Sequence, residues 1–233
     1  MGNVAIITAR GGSKRIPRKN IKEFGGKPII AYSIETALNS NLFEYVMVST
    51  DDDEIAGVAK RYGAHVPFMR SKNNSDDFTG TADVILEVLH DLEKVGKQFD
   101  YVCAIYPTAP FITKQLLAEA YEVLINKKMD SVFPVCSFSY PIQRSLEIND
   151  SKISMVWPEN LNKRSQDLEP RYHDAGQFYW MNTEVFLKEK KVFTQNSGSV
   201  IVNEMQVQDI DSETDWQLAE LKYKLINTKK DGV

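Results

Sequence analysis

Short apolar runs that alternate with helix-like segments constrain this chain more than any other feature. Val4–Ala9, Tyr45–Thr50, Tyr101–Tyr106 and Ser131–Cys136 are nearly unbroken apolar stretches of strand length. A strand with one wet face alternates apolar and polar residues, whereas a strand of a covered parallel sheet does not. Between these runs the periodicity is helical. Ile29–Asn39 and Lys114–Asn126 read as helices, and Asp51–Tyr62 has an acidic first turn that suits the helix dipole. Thr81–Val95 carries Val84, Ile85, Val88, Leu89 and Leu92 on one face. This order predicts an α/β fold, a three-layer sandwich whose mainly parallel central sheet is covered by helices on both faces. His65–Met69 and Gln177–Asn182 are read as further strands, a last strand ends at Asp209-Ile210-Asp211, and Glu213–Ile226 is a closing helix.

The pattern changes between Ser137 and Tyr172, where Pro141, Pro158 and Pro170 interrupt short alternating pieces such as Ile153–Val156. We read a small β insertion (about 137–172) within one domain of 233 residues. Ligands of such sheets bind beyond the carboxyl ends of the strands. The informative loops are then Arg10–Pro28, Arg70–Gly80, Pro107–Thr113 and those beyond Cys136.

A net charge of −4 argues against a nucleic-acid partner. Yet Arg10, Lys14, Arg15, Arg18, Lys19 and Lys22 fall in one stretch. Such a cluster suits a small anionic ligand or a solvated basic loop. Cys103 and Cys136 lie inside strand runs without a CxxC spacing, which fits buried small side chains in a reducing cytoplasm. No apolar stretch approaches membrane-spanning length. The N-terminus enters a strand with no basic segment of a signal peptide before it. Ile6 stands where a myristoylation signal requires Ser or Thr.

The loop after the first strand reads Ala9-Arg10-Gly11-Gly12-Ser13-Lys14-Arg15-Ile16-Pro17-Arg18-Lys19-Asn20. Adjacent glycines permit left-handed backbone and close approach, and successive amides form an anion-binding concavity. Arg10, Lys14 and Lys19 supply charge for a triphosphate. The spacing is neither that of a Walker A loop nor that of a dinucleotide fingerprint. Far along the chain, Asp209 and Asp211 alternate about Ile210, which puts both carboxylates on one face of an extended segment. Two carboxylates near a triphosphate are natural Mg²⁺ ligands, and an isolated pair serves as well for a surface or a helix cap. Asp51-Asp52-Asp53 follows a strand and opens a helix, so it is read as capping and left outside the site.

The loop string, together with Gly26-Lys27-Pro28-Ile29-Ile30, resembles the signature of sugar nucleotidyltransferases in their acidic-sugar form, the acylneuraminate cytidylyltransferase family. The resemblance runs along essentially the whole chain. It implies that Arg10, Gly11, Gly12, Ser13, Lys14, Lys19 and Asn20 bind the nucleotide. Arg70 and the segment Ser75-Asp76-Asp77-Phe78-Thr79-Gly80-Thr81 match the pyrimidine-recognising part, with Arg70 and Thr81 on cytidine. Tyr106-Pro107-Thr108-Ala109-Pro110-Phe111 is similar to a Gln-Pro-Thr-Ser-Pro segment, with Tyr106 in place of Gln. Asp209 to Trp216 resembles the metal-binding segment. Arg10, Lys14, Asp209 and Asp211 then take the catalytic roles, with Mg²⁺ at Asp209 and Asp211.

By the same resemblance Tyr106, Thr108, Gln143, Arg144, Arg164, Tyr172, His173, Gln177 and Phe178 form the sugar pocket, and the insertion forms a dimer contact. Arg164 is the candidate for a sugar carboxylate, which a guanidinium binds through two parallel hydrogen bonds. His173 is either a sugar contact or a structural histidine. The implied reaction passes CMP from CTP to the anomeric hydroxyl of a nine-carbon acidic sugar and releases pyrophosphate, in a cytoplasmic homodimer. Segments such as Ser-Asp-Asp-Phe-Thr-Gly-Thr-Ala-Asp and Pro-Ile-Gln-Arg fit the pseudaminic acid branch better than the sialic acid branch. Tyr106, Phe111, Phe138, Tyr140 and Phe178 are aromatic candidates for a deoxy sugar tail, and Gln143 and Gln177 for its acylamino groups. Legionaminic and sialic acids are the alternative substrates. A glycosyltransferase with the same core and a non-catalytic CTP-binding protein are the alternative functions.

Overall fold

The structure, a computed structural model, describes residues 2–76 and 78–228. In chain order it runs β1 (Gly2–Thr8), a minimal hairpin β2 (Glu23–Phe24) and β3 (Lys27–Pro28), α1 (Ile29–Ser40), β4 (Tyr45–Ser49) and α2 (Asp53–Arg61). Then come α3 (Thr81–Lys94), β5 (Phe99–Ile105), α4 (Lys114–Asn126) and β6 (Ser131–Ser137). A hairpin β7 (Leu146–Asn149) and β8 (Lys152–Met155) follows, then β9 (Tyr172–Asp174), β10 (Phe178–Asn182), α5 (Thr183–Glu189), β11 (Ser197–Ile201) and α6 (Glu213–Thr228). No described helix is long and apolar enough to cross a membrane.

The central sheet has seven strands in the order β11-β6-β10-β5-β1-β4, with β9 paired to β6. β4, β1 and β5 are parallel to one another, as are β6 and β11, while β10 runs antiparallel between β5 and β6. The mainly parallel sheet read from the sequence is therefore present. The strand period of two sorts β1 cleanly: Ala5 and Ile7 enter the core that holds Ile30, Ile34, Leu117 and Trp180, while Val4 and Ile6 enter the opposite core with Ile85, Leu89 and Met181. Trp180 is fully buried and satisfies its indole N–H on the Leu117 carbonyl at 3.1 Å.

A third, smaller core positions the site. Ile16 of the basic loop, Phe24, Ile29, Tyr32, Phe111, Ile210, Trp216 and Ala219 pack together. It joins the loop after β1 to the segment before α6. Each fully buried side chain of this kind contributes about 1.5–3 kcal/mol.

Two strand expectations fail. His65–Met69 makes a single bridge, Met47 to His65, and no ladder. Pro67 has no N–H to donate, and by Arg70 the backbone has returned to the Thr50 carbonyl at 2.8 Å. Asp209-Ile210-Asp211 also pairs with no strand; the last strand is Ser197–Ile201. Its alternation is genuine, with Ile210 buried and the aspartates outward, but the third core imposes it.

Candidate active site

The basic loop leaves β1 at its carboxyl end and is held by the next strand–helix junction. The Gly11 amide donates to Asp51 Oδ1 at 2.8 Å. A Cβ at Gly11 would lie 2.8 Å from Asp52 Oδ2, so glycine is needed there for close approach. Neither Gly11 nor Gly12 takes the left-handed conformation expected of them; Arg18 does, at φ 57°. Asn20, expected on the nucleotide, is buried and donates to the Arg10 carbonyl at 2.8 Å, which ties the two ends of the loop.

Asp52 caps α2, accepting from the Ile55 amide at 3.0 Å, as the capping expectation required. It also takes a fork from Arg18 at 2.5 and 2.8 Å, and Arg18 reaches Glu54 at 2.6 Å. The Arg18 hydrogen bonds hold the Asp52 carboxyl down to about 2, and the same bonds push the Arg18 guanidinium up.

The opposite wall is the Asp209 segment. Lys19 donates to the Ile210 carbonyl at 2.6 Å and stands 3.6 Å from Asp211, which Arg15 meets at 2.8 Å. Asp215 closes the turn, accepting from the Asp211 and Ser212 amides at 3.1 and 2.7 Å. The Asp209 carboxyl is pushed up by burial and then by Asp211. Among the described residues no group of three or more acidic, His or Cys side chains could hold a metal ion. Two carboxylates on either side of the buried Ile210 nevertheless suit a hard dication whose other ligands are water and phosphate oxygens.

Two cavities meet at this edge of the sheet. One, about 250 Å³, is lined by Arg10, Ser13, Lys14, Arg15, Lys19, Asn20, Pro107 and Thr108. The other, about 480 Å³, is lined by Phe138, Ser139, His173, Asp174, Gly176, Glu204 and Asp209 among others. Tyr106 lines both. A larger cavity, about 980 Å³, lies against α1, α4 and α6 and, of the expected site residues, is lined only by Phe111.

Arg70 and Thr81 line neither cavity. Arg70 is buried, with Nε on Ser49 Oγ at 3.0 Å and Nη2 on the Ser49 carbonyl at 2.5 Å. Burial draws its guanidinium down to about 10. Thr81 opens α3 and shares a hydrogen bond with the Tyr106 hydroxyl at 3.1 Å. The loop before it turns on Asp76, whose Oδ1 accepts from the Phe78 and Thr79 amides, while Arg10 donates to the Asp76 carbonyl at 3.1 Å. Asp77 lies outside the described residues.

The expected sugar residues divide. His173, on β9, lines the second cavity with its Nδ1 2.8 Å from the Asp174 carbonyl and its ring on Phe138. Tyr106 and Thr108 are also at the cavities. Gln143 instead donates to the Glu169 carbonyl at 2.7 Å, and Arg144 stands 3.4 Å from Ser165 Oγ. Arg164 forks onto its own neighbour Asp167 at 2.8 and 3.0 Å, and neither it nor Tyr172 lines either cavity. Gln177 is buried and donates to the Gln206 carbonyl at 2.5 Å. Phe178 and Phe111 belong to the packed cores, and Phe111 turns its remaining surface to the 980 Å³ cavity, away from the other expected sugar residues.

The sequence reading gave Asp52 only a capping role and named no site role for Arg15, Asp174 or Tyr179. Tyr179 donates to Asp174 Oδ2 at 2.6 Å and packs its ring beside Tyr106, with centroids 5.6 Å apart. Arg15 sat in the basic run, and its partner became visible only with the fold.

Comparison with known proteins shows the family and the fold. A family model described as cytidylyltransferase matches residues 4–229. A pseudaminic acid cytidylyltransferase of Campylobacter jejuni is 43% identical over 97% of this chain and 97% of its own length. A CMP-N,N'-diacetyllegionaminic acid synthase of Legionella pneumophila is 34% identical over 93% of this chain and 94% of its own. Among solved structures, a CMP:2-keto-3-deoxy-manno-octonic acid synthetase complexed with CTP superposes with a TM-score of 0.70 at 17% identity, covering 98% of this chain and 100% of that one.

Proposed function

The chain belongs to the cytidylyltransferase family, and from that premise we propose that it passes CMP from CTP to the anomeric hydroxyl of pseudaminic acid. It is a nucleotidyltransferase enzyme. The sugar oxygen forms a bond to the α-phosphorus, the bond from that phosphorus to the bridging oxygen breaks, pyrophosphate leaves, and the hydroxyl proton passes to solvent. One observation carries this reading: a basic cavity and a mixed cavity share Tyr106 as a wall, with the Asp209 segment beside them. A triphosphate in the first and an acidic sugar in the second bring the reacting atoms together, which is the main task in phosphate transfer.

Arg10, Lys14, Arg15 and Lys19 place positive charge where the triphosphate lies, and charge there stabilises the transition state more than the ground state. Gly11, Gly12, Ser13 and Asn20 give the loop its shape and amides. Arg70 and Thr81 are assigned to the cytidine end, Thr81 through its bond to the Tyr106 hydroxyl and Arg70 from its buried place on Ser49. Asp209 and Asp211 are the residues that would hold Mg²⁺, which when bound neutralises phosphate-oxygen charge. His173, Thr108 and Phe138 form the sugar side. Gln143, Arg144, Arg164 and Tyr172 meet the sugar only by movement of the extension. The extension carries exposed Leu146, Ile148 and Ile153, which supports a homodimer formed there, and a monomer by light scattering would refute it. Two buried free cysteines fit a cytoplasmic enzyme of one domain.

The 43% relative supports pseudaminic acid, and the 34% relative makes the legionaminic acid its closest rival. The deciding assay is pyrophosphate release across CTP, UTP, ATP and GTP with pseudaminic, legionaminic and N-acetylneuraminic acids. Release with CTP and pseudaminic acid is expected; release with no nine-carbon acid sinks the reading.

A further inference from the structure

Six basic residues crowd the loop after β1, yet Arg18 lines neither cavity. It spends its charge on Asp52 and Glu54 and sits in the left-handed conformation, which costs a non-glycine residue about 1–2 kcal/mol. Something must hold it there. The Arg18 carbonyl accepts from the Ile21 and Lys22 amides at 2.9 and 3.0 Å, so its pose sets the turn that carries Lys19 and Asn20. At the other end of the loop, Asp51 grips the Gly11 amide and the Asp52 side chain lies against Gly11. The start of α2 therefore clamps the loop at residue 11 and at residue 18. Between the clamps lie Ser13, Lys14 and Arg15, all lining the basic cavity.

We propose that Asp52 is a positioning residue: by gripping Arg18, and by lying against the Gly11 that Asp51 holds, it helps fix the segment that presents Ser13, Lys14 and Arg15 to the phosphates. This rests on reading the loop as the triphosphate cradle. Prepaid ordering of such a segment lowers the cost of binding and aligns the charges before the nucleotide arrives. Capping of α2 is a separate duty of the same side chain, and the two are separable. Asparagine caps helices as well as aspartate, but it offers Arg18 no charge and only one acceptor oxygen.

The test compares wild type with Asp52→Asn, Asp52→Asn/Glu54→Gln, Arg18→Gln and Arg18→Gln/Asp52→Asn. Two readouts are used: amide hydrogen exchange over residues 11–18 without ligand, and steady-state kinetics. Exchange of that segment is expected to quicken about tenfold in Arg18→Gln and in Asp52→Asn/Glu54→Gln while the sheet stays protected. The KM for CTP is expected to rise about tenfold to a hundredfold, with the sugar KM unchanged. The Arg18→Gln/Asp52→Asn double variant should be no worse than the worse single one, because both cut the same link. Wild-type exchange and CTP KM in the variants overturn the proposal, and so do effects that multiply in the double variant. If the wild type releases no pyrophosphate from CTP with any nine-carbon acid, the functional reading has failed; the exchange data still decide the clamp.

Discussion

The hydroxyls of Tyr106 and Thr81 lie 3.1 Å apart, joining the start of α3 to the wall that both cavities share. Tyr106→Phe keeps the ring and removes this bond. A neutral hydrogen bond of this kind contributes about 0.5–1.5 kcal/mol, so the KM values for CTP and for the sugar should both rise about twofold to tenfold. Thr81→Val should reproduce the nucleotide effect, and the double variant should add little. Steady-state kinetics with each substrate varied in turn checks this; an unchanged Tyr106→Phe enzyme would make the contact incidental.

The phosphate loop makes the strongest demand. Arg10→Ala and Lys14→Ala should each lose about 3–4 kcal/mol of transition-state stabilisation while the circular dichroism spectrum stays native. Near-normal turnover in both would reduce the loop to a structural element.

Metal dependence is the third test. EDTA should stop the wild type, and added Mg²⁺ should restore it. Asp209→Asn and Asp211→Asn should raise the Mg²⁺ needed for half-maximal rate or abolish activity. Metal-independent turnover would refute the carboxylate site.

Acid stability reports on the Arg18–Asp52 pair. The folded Asp52 carboxyl is held at about 2, below an ordinary aspartate near 3.9. A depressed carboxyl stabilises the fold above its unfolded value and loses that contribution as pH falls through its folded value. Allowing for solvent screening, the pair is worth about 1–2 kcal/mol. Wild type should therefore exceed Asp52→Asn in stability by that amount above about pH 5, and the gap should close towards pH 2. Denaturant melts at several pH values measure it; a gap independent of pH would contradict the assignment.

Sugar choice is the last. With CTP saturating, kcat/KM for pseudaminic acid should exceed that for N-acetylneuraminic acid. A pocket wall that meets a methyl group in place of a hydroxylated tail discriminates by about 1–3 kcal/mol. Equal or better efficiency with N-acetylneuraminic acid would leave only the general cytidylyltransferase.

The sheet was legible because burial on both faces writes itself into composition: Val4 to Ile7 face two cores in alternation, and no polar residue interrupts them. Local alternation misled where burial came from elsewhere. Ile210 looks like a strand residue between Asp209 and Asp211, but it fills the third core with no neighbouring ladder. The basic run was legible as a run, not as a division of labour. Lys14 and Arg15 line a cavity while Arg18 is neutralised by Asp52 and Glu54, and only a contact across 34 residues distinguishes them. Phe178 and Phe111 show the converse limit, since an aromatic side chain carries the same signature in a core as in a pocket.

Lys19 reaches the Ile210 carbonyl across 191 positions of sequence, and Ile16 shares a core with Ile210 and Trp216. The loop after β1 is thus seated by a segment that is synthesised 191 positions later. On the ribosome, a chain that has completed β1, α1 and most of its sheet still lacks Asp209, which lines the second cavity, and the Ile210 carbonyl that anchors Lys19. A fragment ending before Asp209 would leave Ile16 without Ile210 and Trp216, and Arg15 and Lys19 without Asp211. Competence is in this sense deferred until residues 209–216 have been made, and a product cut short of them would carry an unfinished site.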